Sequence, residues 1–538
     1  MTAVRTREAT EEDIEEVREI YRATYGDTYP YQDFYDRDWL KRTVYGDHMV
    51  MVVAESEDDG AILGTASVDL DTGSHSDLTG ELGRLAVRPD ARGQGVGAAL
   101  MAHRIQVVRE RLHLAIVECR TIHPYAQKIS RRFGCAPVGF LPLKHRFRER
   151  ESVAVFAQPF GPALELRRNH PRVVPMAAPL AHLALANLGT KPDVIADESA
   201  PPYPLDKDFE LTELATERFP DLLRIERGRV RRREVFGPVQ LHYGFFKLRA
   251  RRANYLVARR PGRGDRAVAG GLGFVHDATE RNIRIFELIA ATDEAIVHLF
   301  QRLLDQARAL EVEYMEVDVN AHATRLQRTL LELGFLPAAY IPALAFHHVE
   351  RLDSVKMVRL LIPPTMGRIE LIDDVQPIFD TVMRDFQTRT VLPRLESEMG
   401  KLSIFGGLND EQARRLASTM SVQEFGPGEE LFTYGQAAAN LFALLEGEVD
   451  VRVPSGTTVG TVSAGATVGE NAMLAETVHS ASVSARSTVV AAVLTRAALT
   501  DLTAQRPDIA VILYRNLAVG LGRKLRSAGT AFDRTRLG

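Results

Sequence analysis

Leu85-Ala86-Val87-Arg88-Pro89-Asp90-Ala91-Arg92-Gly93-Gln94-Gly95-Val96-Gly97 runs from an apolar strand pattern, through a glycine-rich turn, straight into a long helix pattern. Successive glycines let the backbone approach an anion closely. The N–H groups at a helix N-terminus then face that anion, aided by the helix dipole. A glycine turn alone would also suit a helix entry with no ligand. The loop is not Gly-x-Gly-x-x-Gly, and no first-strand context supports a dinucleotide site.

Around this stretch, helix and strand patterns alternate. Apolar residues Ile14, Val17, Ile20 and Tyr21 predict a helix over 11–25. Strands are predicted over 49–54, 62–70, 81–87 and 114–121, with helices over 97–112 and 124–133. This order predicts an α/β sandwich. Residues 161–207 form a connector rich in proline and alanine, ending Pro201-Pro202-Tyr203-Pro204. Its apolar part, about 173–188, contains Pro175, Pro179 and His182 and makes a poor membrane span. From Phe209 the pattern restarts, with strands over 267–275, 283–290 and 314–319 and helices over 293–310 and 323–333. The ending Gly334-Phe335 echoes Phe133-Gly134 and marks an internal repeat. A helical bridge follows over 364–400. From Leu402 the texture changes to a short helix over 410–420 and many short strands punctuated by Gly426, Gly428, Gly435, Gly447, Gly456, Gly460, Gly465 and Gly469, the pattern of a barrel or jelly roll. A helix over about 507–525 closes it.

The chain has 538 residues, enough for three or four domains, with 45% hydrophobic and 26% charged residues. Its net charge of -4, from 67 basic and 71 acidic side chains, gives no global reason to expect a nucleic-acid or membrane-surface partner. Two cysteines, Cys119 and Cys135, exclude a disulfide framework and a cysteine-rich metal module, and no metal site is expected. The N-terminus has no apolar run of the secretory kind, so a cytoplasmic protein is expected.

Arg92-Gly93-Gln94-Gly95-Val96-Gly97 resembles the acetyl-CoA signature of the GNAT N-acetyltransferases, Arg/Gln-x-x-Gly-x-Gly/Ala. Leu85-Ala86-Val87 and Pro89 before it, and Arg132-Phe133-Gly134 and Val138-Gly139-Phe140 after it, extend the resemblance over residues 1 to about 155. The resemblance implies that acetyl-CoA, or another acyl-CoA, is held by Leu85, Ala86 and Val87 at a strand bulge. The loop Arg92, Gly93, Gln94, Gly95, Val96 and Gly97 would take its pyrophosphate, and His123 stands where many members have an asparagine. The Val87 N–H would polarise the thioester carbonyl. Glu81 occupies the place of the glutamate that deprotonates the incoming amine, and its even spacing from Val87 predicts one shared face. Its alternative is a solvated strand carboxylate. Ser130 stands where many members carry the tyrosine that protonates the departing thiolate. A serine there would hydrogen-bond the sulfur, or water would supply the proton. Tyr125 lies about 140° away around the helix and is no substitute. Cys119 and Cys135 read as packing residues.

Residues 208–363 resemble a second GNAT domain. In place of the glycine loop stands Ala291-Thr292-Asp293-Glu294-Ala295, whose carboxylates would repel a pyrophosphate. This copy is expected to be inactive toward CoA, packing on the first copy or shaping the substrate cleft. Its first half carries 14 Arg/Lys over 224–266 against Glu226, Glu234 and Asp265, which reads as a solvated or internally paired face, with an acidic partner as the alternative.

Phe425-Gly426-Pro427-Gly428-Glu429-Glu430-Leu431-Phe432, Tyr434-Gly435 and the run from Leu441 to Val449 resemble the cyclic-nucleotide-binding domain, over 401–527. The resemblance implies a pocket built from Gly469, Glu470, Asn471, Ala472, His479, Ser480 and Ser482, with Glu470 on the ribose 2′-hydroxyl. His479 replaces the arginine that pairs with the phosphate, so a cyclic nucleotide should bind weakly, and better as pH falls toward about 6. The residues beyond the closing helix leave no room for a helix-turn-helix, so no DNA partner is expected.

The expected fold is thus multidomain α/β and β: two GNAT-type domains, 1–160 and 208–363, a linker at 161–207, a helical linker at 364–400, a cyclic-nucleotide-binding-type jelly roll with flanking helices at 401–527, and a tail at 528–538. The expected function is acyl transfer from CoA to an amine of a protein lysine or a small molecule, with a regulatory C-terminal domain. The alternative is a non-catalytic protein that senses or docks CoA or a nucleotide.

Overall fold

The protein is described by a computed structural model covering all residues except 1–3, 71–74, 206–207, 216–217, 219–232, 238–253, 263–267, 363, 365, 390–398, 418, 475–477 and 537–538. Most of the basic stretch 224–266 lies outside the described residues. The chain forms two compact units, Met1–Met383 and Arg384–Gly538. No helix among the described residues is long and apolar enough to cross a membrane.

The first unit begins with β1 (Val4–Glu8), α1 (Ile14–Tyr25), α2 (Arg37–Val44), β2 (Met49–Ser56), β3 (Ile62–Asp69), β4 (Thr79–Val87), α3 (Val96–Val108), β5 (Leu114–Arg120), α4 (Tyr125–Arg132), β6 (Ala136–Arg146) and β7 (Arg150–Pro159). The helical spacing of Ile14, Val17, Ile20 and Tyr21 holds, and all four are buried on α1. The connector adds β8 (Arg172–Val173), α5 (Ala178–Asn187) and β9 (Ile195–Ala196). The pattern then repeats as β10 (Glu210–Glu213), β11 (Val235–Phe236), β12 (Asn254–Arg259), β13 (Val268–Asp277), β14 (Asn282–Ala290), α6 (Glu294–Ala309), β15 (Tyr314–Asn320), α7 (Thr324–Glu332), β16 (Leu336–His347), β17 (Glu350–Leu360) and α8 (Gln376–Arg389).

Fifteen strands form one sheet, in the order β1-β2-β3-β4-β5-β7-β6-β16-β17-β15-β14-β13-β12-β10, with β11 on β15. The order reads alike from either end, so each half presents its β6-type strand to the other. The halves meet at a single register pair, Gly139 on β6 and Ala339 on β16, two hundred positions apart. A Cβ on Gly139 would lie 2.1 Å from the Ala339 Cβ, so only glycine allows this approach. The two α/β copies expected as separate domains therefore share one sheet.

The connector expected as a linker over 161–207 is part of the same packing. Val173, Val174, Leu180, Ala181, Ala184 and Leu185 are buried, and α5 lies across both β6 and β16. Most of the apolar stretch over 173–188 is the core helix α5, Ala178–Asn187. The connectors also cross over. Val174 N–H donates to Gln327 Oε1 of α7, while Ile372 N–H donates to Gln127 Oε1 of α4. The segment that follows each half in sequence thus docks onto the other half.

The second unit contains α9 (Asp410–Ala417), β18 (Ser421–Phe425), β19 (Glu430–Phe432), β20 (Asn440–Glu446), β21 (Glu448–Arg452), β22 (Thr458–Ser463), β23 (Thr467–Val468), α10 (Asn471–Leu474), β24 (Ser482–Ala485), β25 (Val489–Thr495), α11 (Arg496–Gln505) and α12 (Pro507–Arg536). Two four-stranded sheets, β18-β25-β20-β23 and β19-β24-β21-β22, enclose a core that includes Phe442, Leu444, Val449 and Val483. The segment 528–538, expected as a tail, is helical as far as Arg536.

Gly139→Val should lower the unfolding free energy of the protein by about 1–3 kcal/mol, as overpacking of a close contact does. Gly460→Ala, where nothing lies within 4 Å of the added methyl, is the matched control. Chemical denaturation followed by circular dichroism checks both.

Candidate functional site

The glycine loop adopts the conformation its sequence demands. Gly93 and Gly95 have φ of 79° and 89°, a region that other side chains rarely enter. Gly95 is the N-cap of α3, and no side chain caps that helix. The first-turn amides therefore face the loop and are suited to an anion. Arg92 is exposed and lies near enough for its charge to act on Tyr25 and His123. Gly97 serves packing, its Cβ position lying 3.3 Å from Ile129 and 3.6 Å from Leu85.

Beside the loop the sheet opens. The parallel β4–β5 pair is registered only over Thr79–Glu81 and Leu114–Ile116, although both strands continue. On the other side of β4 the register against β3 shifts between Gly83 and Ala86, and Arg84 has φ of 56°. This is the bulge that the resemblance implied. The Tyr21 hydroxyl donates to the Arg84 carbonyl at 2.6 Å, and buried Arg104 donates to the Gly83 carbonyl at 2.8 Å. Burial lowers the Arg104 guanidinium to about 10. The bulge also corrects the spacing argument. One extra residue lies between Glu81 and Val87, so their side chains point to opposite faces. Val87 packs with Val96 and Leu100 of α3, while Glu81 faces away from α3.

Glu81 borders a cavity of about 60 Å³ that both halves of the sheet line, with Glu118 and Lys144 from the first and Arg284, Glu316 and Lys356 from the second. Its side chain is thus half-buried, 22% exposed, rather than fully solvated. Burial raises its proton affinity above the usual carboxylate range, Arg84 opposes this, and the charges of Glu118 and Asp69 add to it. Arg84 lies 3.4 Å from Glu81 and stacks over the Tyr31 ring.

His123 and Ser130 differ in placement. His123 Nδ1 is enclosed without a hydrogen-bond partner, and burial followed by the Arg120 charge keeps the ring neutral by lowering its pKa. An orphaned polar atom beside the loop fits a ligand. Ser130 corrects the expectation of a catalytic hydroxyl: it is 1% exposed and shares a 3.4 Å hydrogen bond with the Cys119 thiol. A hydroxyl enclosed in this way does not reach a thiolate in the cleft. Burial pushes both thiols up to about 12, as packing cysteines require.

In the second half the corresponding opening is filled. Strands β14 and β15 pair over Asn282–Ile285 and Tyr314–Val317, and β11 then takes the next places on β15, Phe236 against Asp318 and Val235 against Val319. A Cβ on Gly237 would lie 2.4 Å from the Phe286 carbonyl oxygen, so this segment also presses on β14. The loop before α6 is short, and its N-cap, Asp293, pairs with Arg325 at 2.8 Å. The expected acidic residue is present, but it is paired, and the cleft is blocked by the chain itself.

In the second unit the pocket residues are also engaged. Glu470 is buried, and its Oε1 accepts from the Thr467 hydroxyl and from Lys524 of α12, each at 2.6 Å. The His479 ring stacks on Phe432 at 3.8 Å. Burial lowers the His479 pKa and so disfavours the imidazolium on which the expected pH-dependent binding relied. Ser482 Oγ accepts from the Tyr434 N–H, Gly469 lies against the Asn440 carbonyl, and Asn471 and Ser480 are exposed. Ala472 sits within α10.

Arg84, Arg104, Lys144 and Lys524 escaped the sequence reading. Arg104 alone carried a signal, as a cation within an apolar helix pattern. With both thiols enclosed, Ellman's reagent should release no chromophore from the native protein at pH 8 and two equivalents after denaturation.

The acetyltransferase (GNAT) family model matches residues 14–134, and the cyclic nucleotide-binding domain model matches residues 422–506. Glutaminase 2 of Bradyrhizobium diazoefficiens is 26% identical over 264 residues, 48% of this chain and 42% of that protein. Glutaminase 1 of the same organism is 31% identical over 140 residues, 26% of this chain and 22% of that protein. The chain spans less than half the length of these curated relatives. A cyclic nucleotide-binding domain from Methylobacillus flagellatus is 29% identical, covering 28% of this chain and 86% of that one, with a TM-score of 0.26. A GNAT superfamily phosphinothricin acetyltransferase from Sinorhizobium meliloti, in complex with acetyl-CoA, is 22% identical, covering 30% and 90%, with a TM-score of 0.27. The chain carries a GNAT acetyltransferase-family domain in its first unit and a cyclic nucleotide-binding domain in its second.

Proposed function

We propose that the protein is an acyl-CoA-dependent N-acyltransferase, most simply an acetyltransferase, acting on an amine of a protein lysine or a small molecule. The observation that carries this reading is the β4–β5 opening, which has the uncapped N-terminus of α3 at one end and half-buried Glu81 at the other. The loop Arg92 to Gly97 would hold the pyrophosphate, and Leu85, Ala86 and Val87 the pantetheine arm. Bound acyl-CoA supplies a thioester, an activated acyl group that a neutral amine attacks directly. An ammonium has no lone pair, so Glu81 takes its proton. A raised proton affinity suits that task. The Val87 N–H is the donor toward the carbonyl oxygen. Ser130 is occupied by Cys119, so water is left to protonate the departing thiolate. The second half binds no CoA in this reading. Two free, buried thiols fit a reducing compartment, and we place the protein in the cytoplasm.

The second domain is proposed as a regulatory module whose pocket is held by its own chain. Lys524 occupies Glu470, and His479 offers a neutral ring where a phosphate partner would be charged. A ligand for Glu470 must displace Lys524.

Calorimetry should find one acetyl-CoA site per chain, lost in Gly95→Glu. A second site, or an unchanged affinity in the variant, would reassign the loop. Glu81→Gln should slow acetyl transfer by about 10² to 10⁴ with CoA affinity little changed. A near-wild-type rate at pH 7 would remove Glu81 from the mechanism. Cyclic AMP should bind the native protein weakly or not at all at pH 8, and Lys524→Ala combined with His479→Arg should tighten it. Tight binding by the native protein would overturn the occupied-pocket reading.

A further inference from the structure

The cavity beside Glu81 is one shared space across the junction of the two halves. From β6, the Lys144 ammonium lies 2.6 Å from Glu118 Oε1 on β5 of its own half and 3.2 Å from Glu316 Oε2 on β15 of the other. Lys144 therefore spans the junction. The remaining charges are fixed in place by partners. Asp77 accepts both Arg233 terminal nitrogens, at 2.8 and 2.6 Å. Asp318 pairs with Lys356 of β17 at 2.7 Å. His145 of β6 sits between Glu118 and Glu280, and although burial opposes its charge, those carboxylates raise it to about 9. On the first-half side Glu81 also faces Asp69 of β3, Arg84 of its own strand and the Tyr31 ring. From the second half, Arg284 of β14 faces it, paired in the parallel register with Glu316 as Glu81 is with Ile116.

We propose that Lys144 is a positioning residue for Glu81, and that the second half takes part in the chemistry by holding this ammonium through Glu316. The proposal rests on reading Glu81 as the base. In a partly enclosed cavity, charge interactions act at several ångströms. Glu118 lies well below the usual carboxylate range and Glu316 at about 2, since, against the cost of burial, Lys144 holds both in the charged form. The ammonium is thus divided between two carboxylates, and the remainder of its field falls on Glu81.

Two substitutions then move Glu81 in opposite directions. Glu316→Gln takes away one claim on Lys144 and one like charge facing Glu81, so Glu81 becomes more acidic. Lys144→Met leaves Glu118 and Glu316 facing Glu81 uncompensated, so Glu81 becomes less acidic. Shifts of about half a unit down and about one unit up are expected. Lys144→Arg should stay near the native value.

The test follows the Glu81 carboxyl carbon by NMR in full-length protein labelled at glutamate, assigned with Glu81→Gln, alongside the acid limb of kcat/KM for acetyl transfer. Opposite shifts in the two variants, with the arginine variant restored, support the proposal. Identical midpoints in all proteins, or shifts of the same sign, overturn it, because a purely structural role lowers activity without moving the midpoint. Lys144→Met strands two buried carboxylates, so circular dichroism accompanies it, and if it does not fold, the sign of the Glu316→Gln shift decides alone. If the native protein acetylates no amine, the carboxyl titration still reads the midpoint, and the failure belongs to the proposed function.

Discussion

The approach of Gly139 to Ala339 is the constraint on which the first unit rests. Each half ends in a β6-type strand whose last neighbour must be another strand or solvent, and an open edge is a liability. Joining the two edges removes it for both halves at once. The join also determines what faces what. Strands β4, β5 and β6 of one half are brought over β14, β15 and β17 of the other, and the charged cavity beside Glu81 exists only because of that juxtaposition.

The two halves share a frame but differ in what their strands enclose. Both strand pairs, β4–β5 and β14–β15, part company after a short parallel register. Both edges of that frame carry a bulge, at Arg84 and at Phe286. In the first half the parting is left open beside a glycine loop. In the second it is closed by two residues of the same chain, Val235 and Phe236, which satisfy β15 with backbone hydrogen bonds as a ligand would. The third residue of the parallel register is a glutamate in the first half and an arginine in the second, Glu81 and Arg284. Two halves with the same strand order thereby share one cavity whose walls both carry acidic and basic side chains.

The local parts of this arrangement were legible in the sequence. The glycine loop, the helix over Ile14 to Tyr21, the recurrence of the pattern and the short strands past Leu402 all follow from spacing within a few residues. What escaped was set by register and by distance along the chain. A single inserted residue at the bulge reverses which face Glu81 shares with Val87, and period-two counting is blind to it. Ser130 is neutralised by Cys119 on a neighbouring strand, and Glu470 by Lys524, 54 positions later. The strand that fills the second cleft comes from a stretch whose arginine content suggested a solvated face.

The crossed straps impose an order on synthesis. The core beneath α4 is completed by Leu371, Ile372 and Val375, and the bond from Gln127 to the Glu370 carbonyl joins residues 243 positions apart. At typical translation speeds that interval takes roughly 12–50 s. Until it has passed, the apolar face of the first half stands uncovered, although its sheet and glycine loop are already made. The nascent chain therefore carries that face bare over a defined stretch of its synthesis, and a fragment ending before Leu371 would keep it exposed.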